Sequence, residues 1–381
     1  MGDSGGPSRF IPPTGMPLTP GTSGSPAPRG RGAATNPANR FARIDFSEDL
    51  EYLEVDPEAV EARRGIATEY FADDAKSVIS ENDSPDIPFR YSLNPYRGCA
   101  HGCSYCFARP THEYLDLSAG LDFETRIFVK ERAPELFREW LGRDGYLPET
   151  VAMSGVTDCY QPIERKLRLT RRCVEVAVET RQPLAVVTKN ALVTRDIDLL
   201  APLAAEGAAS VSMSVTTLDQ SLSRVMEPRT SSPEAKLRAI GELSRAGIPV
   251  SVLVAPIVPG LTDHEIPRIL QAVKEAGAIS ASYILLRLPL TVEPVFLEWL
   301  RRVRPAEASK VETRIRATRG GKLYDSRFGE RMRGSGPIAD QINASFRLFA
   351  ARYGLSTTRP LLTSDRFRRP VPRSGQRWLF D

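Results

Sequence analysis

The chain has 381 residues, 41% of them hydrophobic, with 51 Lys or Arg against 47 Asp or Glu. It has no run of eighteen apolar residues, which excludes a membrane-spanning helix, and its first residues lack the apolar segment of a signal peptide, so we expect a cytoplasmic protein with no membrane partner. Its five cysteines do not suggest a disulfide framework in that compartment.

The two ends differ from the middle in composition. Residues 1–40 are rich in Gly, Pro, Ser and Thr, which predicts a disordered leader, and residues 41–90 are predicted to be an ordered N-terminal extension. From Arg301 onward there are nineteen Lys or Arg and seven Asp or Glu, so residues 306–381 are interpreted as a basic C-terminal extension and tail. Such a segment on an acidic body indicates a polyanionic partner such as nucleic acid; a solvated basic surface is the alternative.

Residues 91–305 alternate between strand-like and helix-like patterns. One helix is predicted to begin at Ser232 and end at Gly247, and the next to begin near Thr262 or Asp263 and end at Gly277. The first predicted strand lies just before Cys99. Five more are predicted over residues 150–155, 183–189, 209–215, 249–258 and 280–288. Six parallel βα units predict an α/β fold, either a partial (β/α)6 barrel or a doubly wound sheet, and we favour the barrel. In both, ligands bind at the carboxyl ends of the strands.

Three cysteines carry the strongest chemical signal. Cys99, Cys103 and Cys106 form a C-x3-C-x2-C motif with an aromatic residue before the third cysteine. Three thiolates can hold three corners of a cubane iron–sulfur cluster and leave one iron open for an amine and a carboxylate. A structural zinc site is the alternative, with His101 or His112 as its fourth ligand. A cluster used only for electron transfer would normally have a fourth cysteine.

This motif resembles the signature of the radical S-adenosylmethionine (SAM) superfamily. The wider segments "SLNPYRGCAHGCSYCFARPTHEY", "SGVTDCYQPIE", "VTKN" and "VAPIVPGLTDHE" resemble the branch related to spore photoproduct lyase, whose members are called DNA repair photolyase-like. The resemblance implies a 4Fe–4S cluster and SAM as cofactors. It also implies a reductant such as flavodoxin or ferredoxin, and reductive cleavage of SAM to a 5′-deoxyadenosyl radical that abstracts hydrogen from a substrate.

The resemblance also implies cofactor contacts at the strand ends. Ser154, Thr157 and Asp158 would bind the amino group of SAM after the second strand, and Lys189 would pair with its carboxylate after the third. Residues 255–260 resemble the segment that packs on the adenine ring.

Other polar residues suit the ribose and the substrate. Ser212 and Ser214 alternate with apolar neighbours on the fourth strand, so they share one face and could bind ribose hydroxyls. Cys159, Tyr160 and Arg287 are the candidate catalytic residues. Further candidates for lining the substrate side are Glu164, Glu227 and Arg229.

One position departs from the lyase pattern. Spore photoproduct lyase uses a cysteine near the second strand end as a hydrogen donor, and that position falls at or near Val156 here. Cys159, three residues later, is a candidate substitute. Repair of the spore thymine lesion is therefore not the expected reaction. Nucleic acid is still the leading substrate class because of the family resemblance and the basic C-terminal region; radical modification of a protein or small molecule, and a non-catalytic electron carrier, are the alternatives.

The last residues contain a separate motif. Gln376, Leu379 and Phe380 form a Q-x-x-L-F pattern that resembles the peptide by which DNA-repair proteins bind the sliding clamp. The alternative is that these apolar residues fold back onto the barrel.

Overall fold

The computed structural model describes residues 30–33, residue 36 and residues 67–370. The clamp-like residues Gln376, Leu379 and Phe380 lie outside this described part. The strands within it are β1 (Glu69–Ala72), β2 (Ile79–Glu81), β3 (Tyr91–Leu93), β4 (Tyr96–Arg97), β5 (Arg126–Val129), β6 (Val151–Met153), β7 (Leu184–Thr188), β8 (Ala209–Ser214), β9 (Val250–Ile257) and β10 (Ser280–Leu285).

Helices follow most of the strands. They are α1 (Leu121–Thr125), α2 (Ala133–Leu141), α3 (Glu164–Leu167), α4 (Leu169–Thr180), α5 (Ile197–Ala205), α6 (Gln220–Met226), α7 (Pro233–Arg245), α8 (Ile266–Glu275), α9 (Val292–Val303), α10 (Ala308–Ala317), α11 (Glu330–Arg333) and α12 (Pro337–Arg352). Short 3₁₀ segments cover Arg109–Leu115, Ala191–Asp196 and Asp263–Glu265. No helix of the described residues is long and apolar enough to cross a membrane.

The main sheet has seven strands in the order β10-β9-β8-β7-β6-β3-β2. All neighbours are parallel except β2 and β3, which pair antiparallel. Six parallel strands in sequential order confirm the predicted α/β fold, and the sheet stays open, as in a partial barrel. A smaller sheet has the order β1-β5-β4, and its middle strand lies just after α1.

The two faces of the main sheet have different side chains. The face toward the helices is apolar and buried, and includes Leu93, Met153, Val186, Met213 and Val252. Because side chains alternate along a strand, the neighbouring residues point to the other face. Most of these are small and often polar, namely Ser92, Ala152, Ala185, Ser210, Ser212, Ser214, Ser251 and Ser282, although the larger Val187 and Leu253 share the face. Small side chains leave room for a ligand on this inner face.

Local signals set the helix ends. The Ser232 hydroxyl accepts a hydrogen bond from Ala235 N at 3.3 Å at the start of α7, as predicted. Gly247, just after this helix, has a φ of +78°, a conformation that favours glycine. Helix α8 begins at Ile266, later than predicted, because residues 263–265 form a 3₁₀ turn first.

The C-terminal region packs on the βα core. Phe346 of α12 contacts Tyr283 of β10 with ring centroids 4.8 Å apart, and Ser356 bridges to Ser280. Arginines of this region pair with acidic groups of the core, as in the 2.6 Å contact between Arg331 and Asp86. Part of its positive charge is therefore neutralised within the protein.

Candidate active site at the carboxyl ends of the strands

The cysteine loop, residues 98–107, follows β4 and turns sharply at two glycines. Gly98 and Gly102 have φ values of +77° and +66°. A Cβ on Gly98 would lie 2.9 Å from the His112 ring and 3.0 Å from Phe123 O, so this position requires glycine. Cys99 N donates to Phe123 O at 2.9 Å, which anchors the loop to the core.

The three thiols of this loop lie in a common, water-poor environment. Cys99 and Cys103 are buried and Cys106 is partly buried. Burial raises the pKa of each thiol. Acidic neighbours raise the pKa further, Asp158 that of Cys99 and Glu227 that of Cys103, and the charge of Cys106 adds to both. A cluster of high positive charge would supply the stabilisation that these thiolates need.

The geometry suits a polynuclear cluster better than a zinc ion. Within residues 30–33, 36 and 67–370, no three His, Cys, Asp or Glu side chains converge closely enough to hold one metal ion. A cubane cluster instead spreads its thiolates over three iron corners. Of the two histidines proposed as a fourth zinc ligand, His101 has contacts at both ring nitrogens and His112 at Nε2 only, its Nδ1 having no hydrogen-bond partner among the described residues. His101 lies 3.2 Å from Asn190 Nδ2 and His112 lies 3.0 Å from Arg126 O. The three cysteines thus fit the cluster that the motif implies.

Asp158 joins the cysteine loop to two strand ends. Its Oδ1 accepts from the Thr188 hydroxyl at 2.8 Å, its Oδ2 accepts from Lys189 N at 2.7 Å, and the Oδ2 lies 3.5 Å from His101 Nδ1. Thr157 is buried, and its hydroxyl donates to Tyr96 O at 2.9 Å. Both side chains therefore shape the walls of the site.

Ser154, at the end of β6, has a strained backbone. Its φ of +79° lies in the left-handed region, which is costly for a residue with a side chain. The Ser154 hydroxyl accepts from Cys159 N at 2.8 Å, which stabilises this turn. Strain of this kind concentrates at functional sites, as expected for a residue that would line the cofactor site.

A buried charged group lies beside the cysteine loop. The Glu227 carboxylate pairs with Lys189 at 3.0 Å and with Lys236 at 2.8 Å. It also accepts hydrogen bonds from Thr216 at 2.7 Å and from Tyr105, which directly precedes Cys106. We call Lys189, Glu227 and Lys236 the charged triad.

The charged triad has one positive charge in excess. Burial alone would raise the pKa of Glu227, but the two lysines hold it well below its usual range, so the carboxylate is ionised. Burial lowers the pKa of Lys189, and Glu227 more than reverses this, so the pKa lies above its usual value. Two ammonium groups thus share the Glu227 carboxylate in a region of low dielectric, and the nearby Asp158 carboxylate also raises the pKa of Lys189. Lys189 is therefore protonated and can pair with an anionic ligand.

Lys189 is the member of the charged triad that a ligand can reach. Its side chain is 17% exposed, whereas that of Lys236 is 2% exposed. Lys189 Nζ also donates to Ala255 O at 3.0 Å, which places it beside residues 255–260.

Ser212 and Ser214 lie on the inner face of β8. Both are buried, and within the described part of the chain neither hydroxyl has a hydrogen-bond partner. Both therefore keep the donor and acceptor capacity that ribose hydroxyls would need.

Arg287 lies at the entrance, just after β10. Its guanidinium stacks over the Phe107 ring at 5.4 Å, and Phe107 follows the last cluster cysteine and is 48% exposed. Arg287 Nη1 also contacts Met332 Sδ at 3.6 Å, so the segment around α11 borders this entrance.

Cys159 and Tyr160 point elsewhere. Both are fully buried in the apolar core between sheet and helices, and the Tyr160 hydroxyl donates to Asp196 at 3.0 Å. Glu164 is also buried, in an ion pair with Arg195 at 2.9 Å. By contrast, Val156 packs against the group that contains Cys99 and Cys106. Val156, at or near which the resemblance places the donor cysteine of the lyase, thus lies beside the cluster cysteines, and Cys159 does not.

Two features were not found from the sequence. Lys236 lies on the first turn of α7, and nothing in that helix pattern marks it as a buried partner of Glu227. A surface groove of about 900 Å³ lies at the amino ends of the strands, near Glu149 and Pro183. It is at the opposite end from the cysteines, so we do not assign the chemistry to it.

Comparison with known proteins supports the same assignment. A profile of the radical SAM superfamily matches residues 93–273. An uncharacterised protein of Mycobacterium tuberculosis is 38% identical over 226 residues, which cover 59% of this chain and 66% of that protein. An uncharacterised protein of Methanocaldococcus jannaschii is 30% identical over 191 residues, covering 50% and 68%. This chain thus spans just under two thirds of its mycobacterial relative.

Solved structures share the fold. A spore photoproduct lyase complexed with dinucleoside spore photoproduct has a TM-score of 0.55 at 16% identity, covering 76% of this chain and 81% of the lyase. A lyase variant with bound SAM and the same dinucleoside has a TM-score of 0.55 at 16% identity, covering 85% and 88%. The fold, the cysteine loop and the matching profile together show that the chain belongs to the radical SAM superfamily, whose cofactors are a 4Fe–4S cluster and SAM.

Proposed function

We propose that this protein binds a 4Fe–4S cluster through Cys99, Cys103 and Cys106 and uses SAM to abstract a hydrogen atom from a nucleic acid. The observation that best supports the binding of SAM is the charged triad. Lys189, the partly exposed cation of this triad, lies beside the cysteine loop, where an amino acid carboxylate bound to the open iron would need a cation.

Each group at the strand ends has a defined task in this proposal. When bound, the cluster and SAM supply one electron and a reactive carbon radical. Lys189 pairs with the carboxylate of SAM, and Glu227 keeps the lysine protonated and oriented. Ser212 and Ser214 offer hydroxyls to the ribose. Ser154, Thr157 and Asp158 form the wall that faces the amino group.

The entrance has features suited to nucleic acid. Phe107 and Phe328 are 48% and 60% exposed, and each stacks with a guanidinium, from Arg287 and Arg331 respectively. Exposed aromatic rings beside arginines are the usual platform for unpaired bases. The structurally similar lyase binds a dinucleoside, which supports the same substrate class here. Residues 306–381 would add phosphate contacts.

Val156 limits the reaction that can be proposed. A valine side chain cannot donate a hydrogen atom to a substrate radical as a thiol does, and Cys159 is turned into the core. We therefore propose a nucleic-acid reaction other than thiol-dependent repair of the spore thymine lesion. Arg287 is the one proposed catalytic residue that lies at the entrance, and its role there is to bind the substrate.

Deuterium transfer tests the substrate class. Anaerobically reconstituted protein, reduced with dithionite or with flavodoxin or ferredoxin, is given SAM and oligonucleotides deuterated on sugar and methyl positions. We expect deuterium in 5′-deoxyadenosine from a DNA or RNA oligonucleotide. Formation of 5′-deoxyadenosine without deuterium from any nucleic acid would favour a protein or small-molecule substrate. A reducible cluster with no 5′-deoxyadenosine would favour an electron carrier.

A further inference from the structure

A short N-terminal segment, Gly30–Ala33, lies directly on the cysteine loop. Arg31 and Ala33 are buried, although the composition of residues 1–40 predicts disorder. A Cβ on Gly32 would lie 1.9 Å from Gly102 O and 2.8 Å from Ser104 N, both in the loop between the cluster cysteines. Only glycine allows two backbones to approach so closely. We call Gly30–Ala33 the strap.

The Glu124 side chain fastens the strap. Its Oε2 accepts from Gly32 N at 3.2 Å and its Oε1 accepts from Ala33 N at 2.9 Å. Arg31 Nη1 adds a hydrogen bond to Glu124 O at 2.8 Å. Three contacts of the strap thus converge on one residue of α1.

The same carboxylate holds a second group, Arg109, which contacts a cluster ligand. Glu124 and Arg109 form an ion pair in which both side chains are fully buried. Arg109 Nη2 and Nε donate to Cys103 O at 2.7 and 3.2 Å, and its Nη1 donates to Gly120 O at 2.9 Å. Burying two charges is expensive unless the surrounding hydrogen bonds are satisfied, as most are here. The ion pair therefore fixes the backbone of Cys103.

We propose that Glu124 is a positioning residue for the cluster. It locks the strap over the cysteine loop and, through Arg109, holds Cys103 in place, so that the strap shields the cluster from oxygen. The inference rests on the proposed function only in that the three cysteines bind an iron–sulfur cluster; it does not depend on the substrate.

Gly32→Ala tests the strap with a single methyl group. The new Cβ would collide with backbone atoms of the loop, so the strap must lift. We expect the brown absorbance of the anaerobically reconstituted cluster to decay about tenfold faster in air than in wild type. This factor corresponds to the loss of one or two hydrogen bonds that hold the strap on the loop. Trypsin should also cleave after Arg31, which is 5% exposed in the native fold. Gly241→Ala is the matched control, because a Cβ there meets no atom closer than 3.5 Å.

Glu124→Gln tests the positioning role. It preserves size and one acceptor oxygen but removes the charge that pairs with Arg109. We expect a shifted cluster reduction potential and an altered electron paramagnetic resonance signal, because Cys103 is no longer held. An unchanged reduction potential and resonance signal in folded Glu124→Gln would overturn the positioning role. If Glu124→Gln does not fold, Gly32→Ala still decides whether the strap shields the cluster. The inference would be overturned if the cluster of Gly32→Ala survives in air as long as that of wild type and the bond after Arg31 stays protected from trypsin.

The outcomes separate this inference from the proposed function. Both readouts are taken without SAM or substrate, so an inactive protein with a protected cluster supports the strap and contradicts the proposed reaction. Wild-type protein that binds no iron would refute the proposed function and the shielding role together.

Discussion

Replacing Lys189 by methionine should weaken SAM binding and leave the cluster intact. Methionine matches the length of lysine but has no charge, and Glu227 keeps Lys236 as an ion-pair partner at 2.8 Å, so the fold should tolerate the change. The substitution removes the excess positive charge of the charged triad. A charge-assisted contact contributes about 1.5–3 kcal/mol, so affinity should fall roughly ten- to a hundredfold.

Titration of SAM into the anaerobic holoprotein measures this effect. Decarboxylated SAM sharpens it, because a ligand without the carboxylate cannot use Lys189. Wild type and Lys189→Met should bind that analogue equally, and the difference between the two ligands isolates the single contact. Lys166→Met, at an exposed position, serves as a control that should bind SAM as wild type does. Equal weakening for both ligands would refute the assigned contact.

Three further predictions follow from the same structure. Cys99→Ala should abolish the anaerobic iron and sulfide content, whereas Cys173→Ala, in the core, should not; elemental analysis decides. Wild-type protein should bind duplex DNA with a logarithm of affinity that falls by about 0.9 per unit of log salt concentration for each phosphate contacted. Replacing the exposed Lys310, Arg347 and Arg352 by glutamine, which leaves the packed C-terminal region in place, should give a smaller slope. Burial lowers the pKa of His112 to about 4 from 6.5, so between these values the unfolded state binds more protons and stability falls as pH drops. Between pH 7 and pH 5 the free energy of unfolding of His112→Gln, measured by chemical denaturation, should therefore fall by about 2 kcal/mol less than that of wild type.

The fold followed from the sequence because its signals are local and repeated. Continuous apolar runs marked β7 and β9, and Ser232 and Gly247 marked the two ends of α7. The cysteine loop was equally clear, since three close thiols have few chemical uses.

The contacts of the site could not be predicted, because they depend on which side of the sheet a residue faces and on which distant segments meet. Cys159 follows Ser154 by five residues, and the left-handed turn at Ser154 helps to place the thiol in the core, which no sequence period reveals. Lys236 and Glu227 are nine positions apart and meet only because α7 returns to the sheet. The contact between Ala33 of the strap and Glu124 joins residues more than ninety positions apart. The composition of the segment that contains the strap predicts only disorder.

Quantifying 5′-deoxyadenosine in a single turnover tests the central claim most directly. Reduced wild-type holoprotein mixed with SAM should give 5′-deoxyadenosine and methionine in equal amounts, and Cys99→Ala should give neither. A wild-type protein with a full, reducible 4Fe–4S cluster that binds SAM and releases no 5′-deoxyadenosine, with or without nucleic acid, would contradict the account.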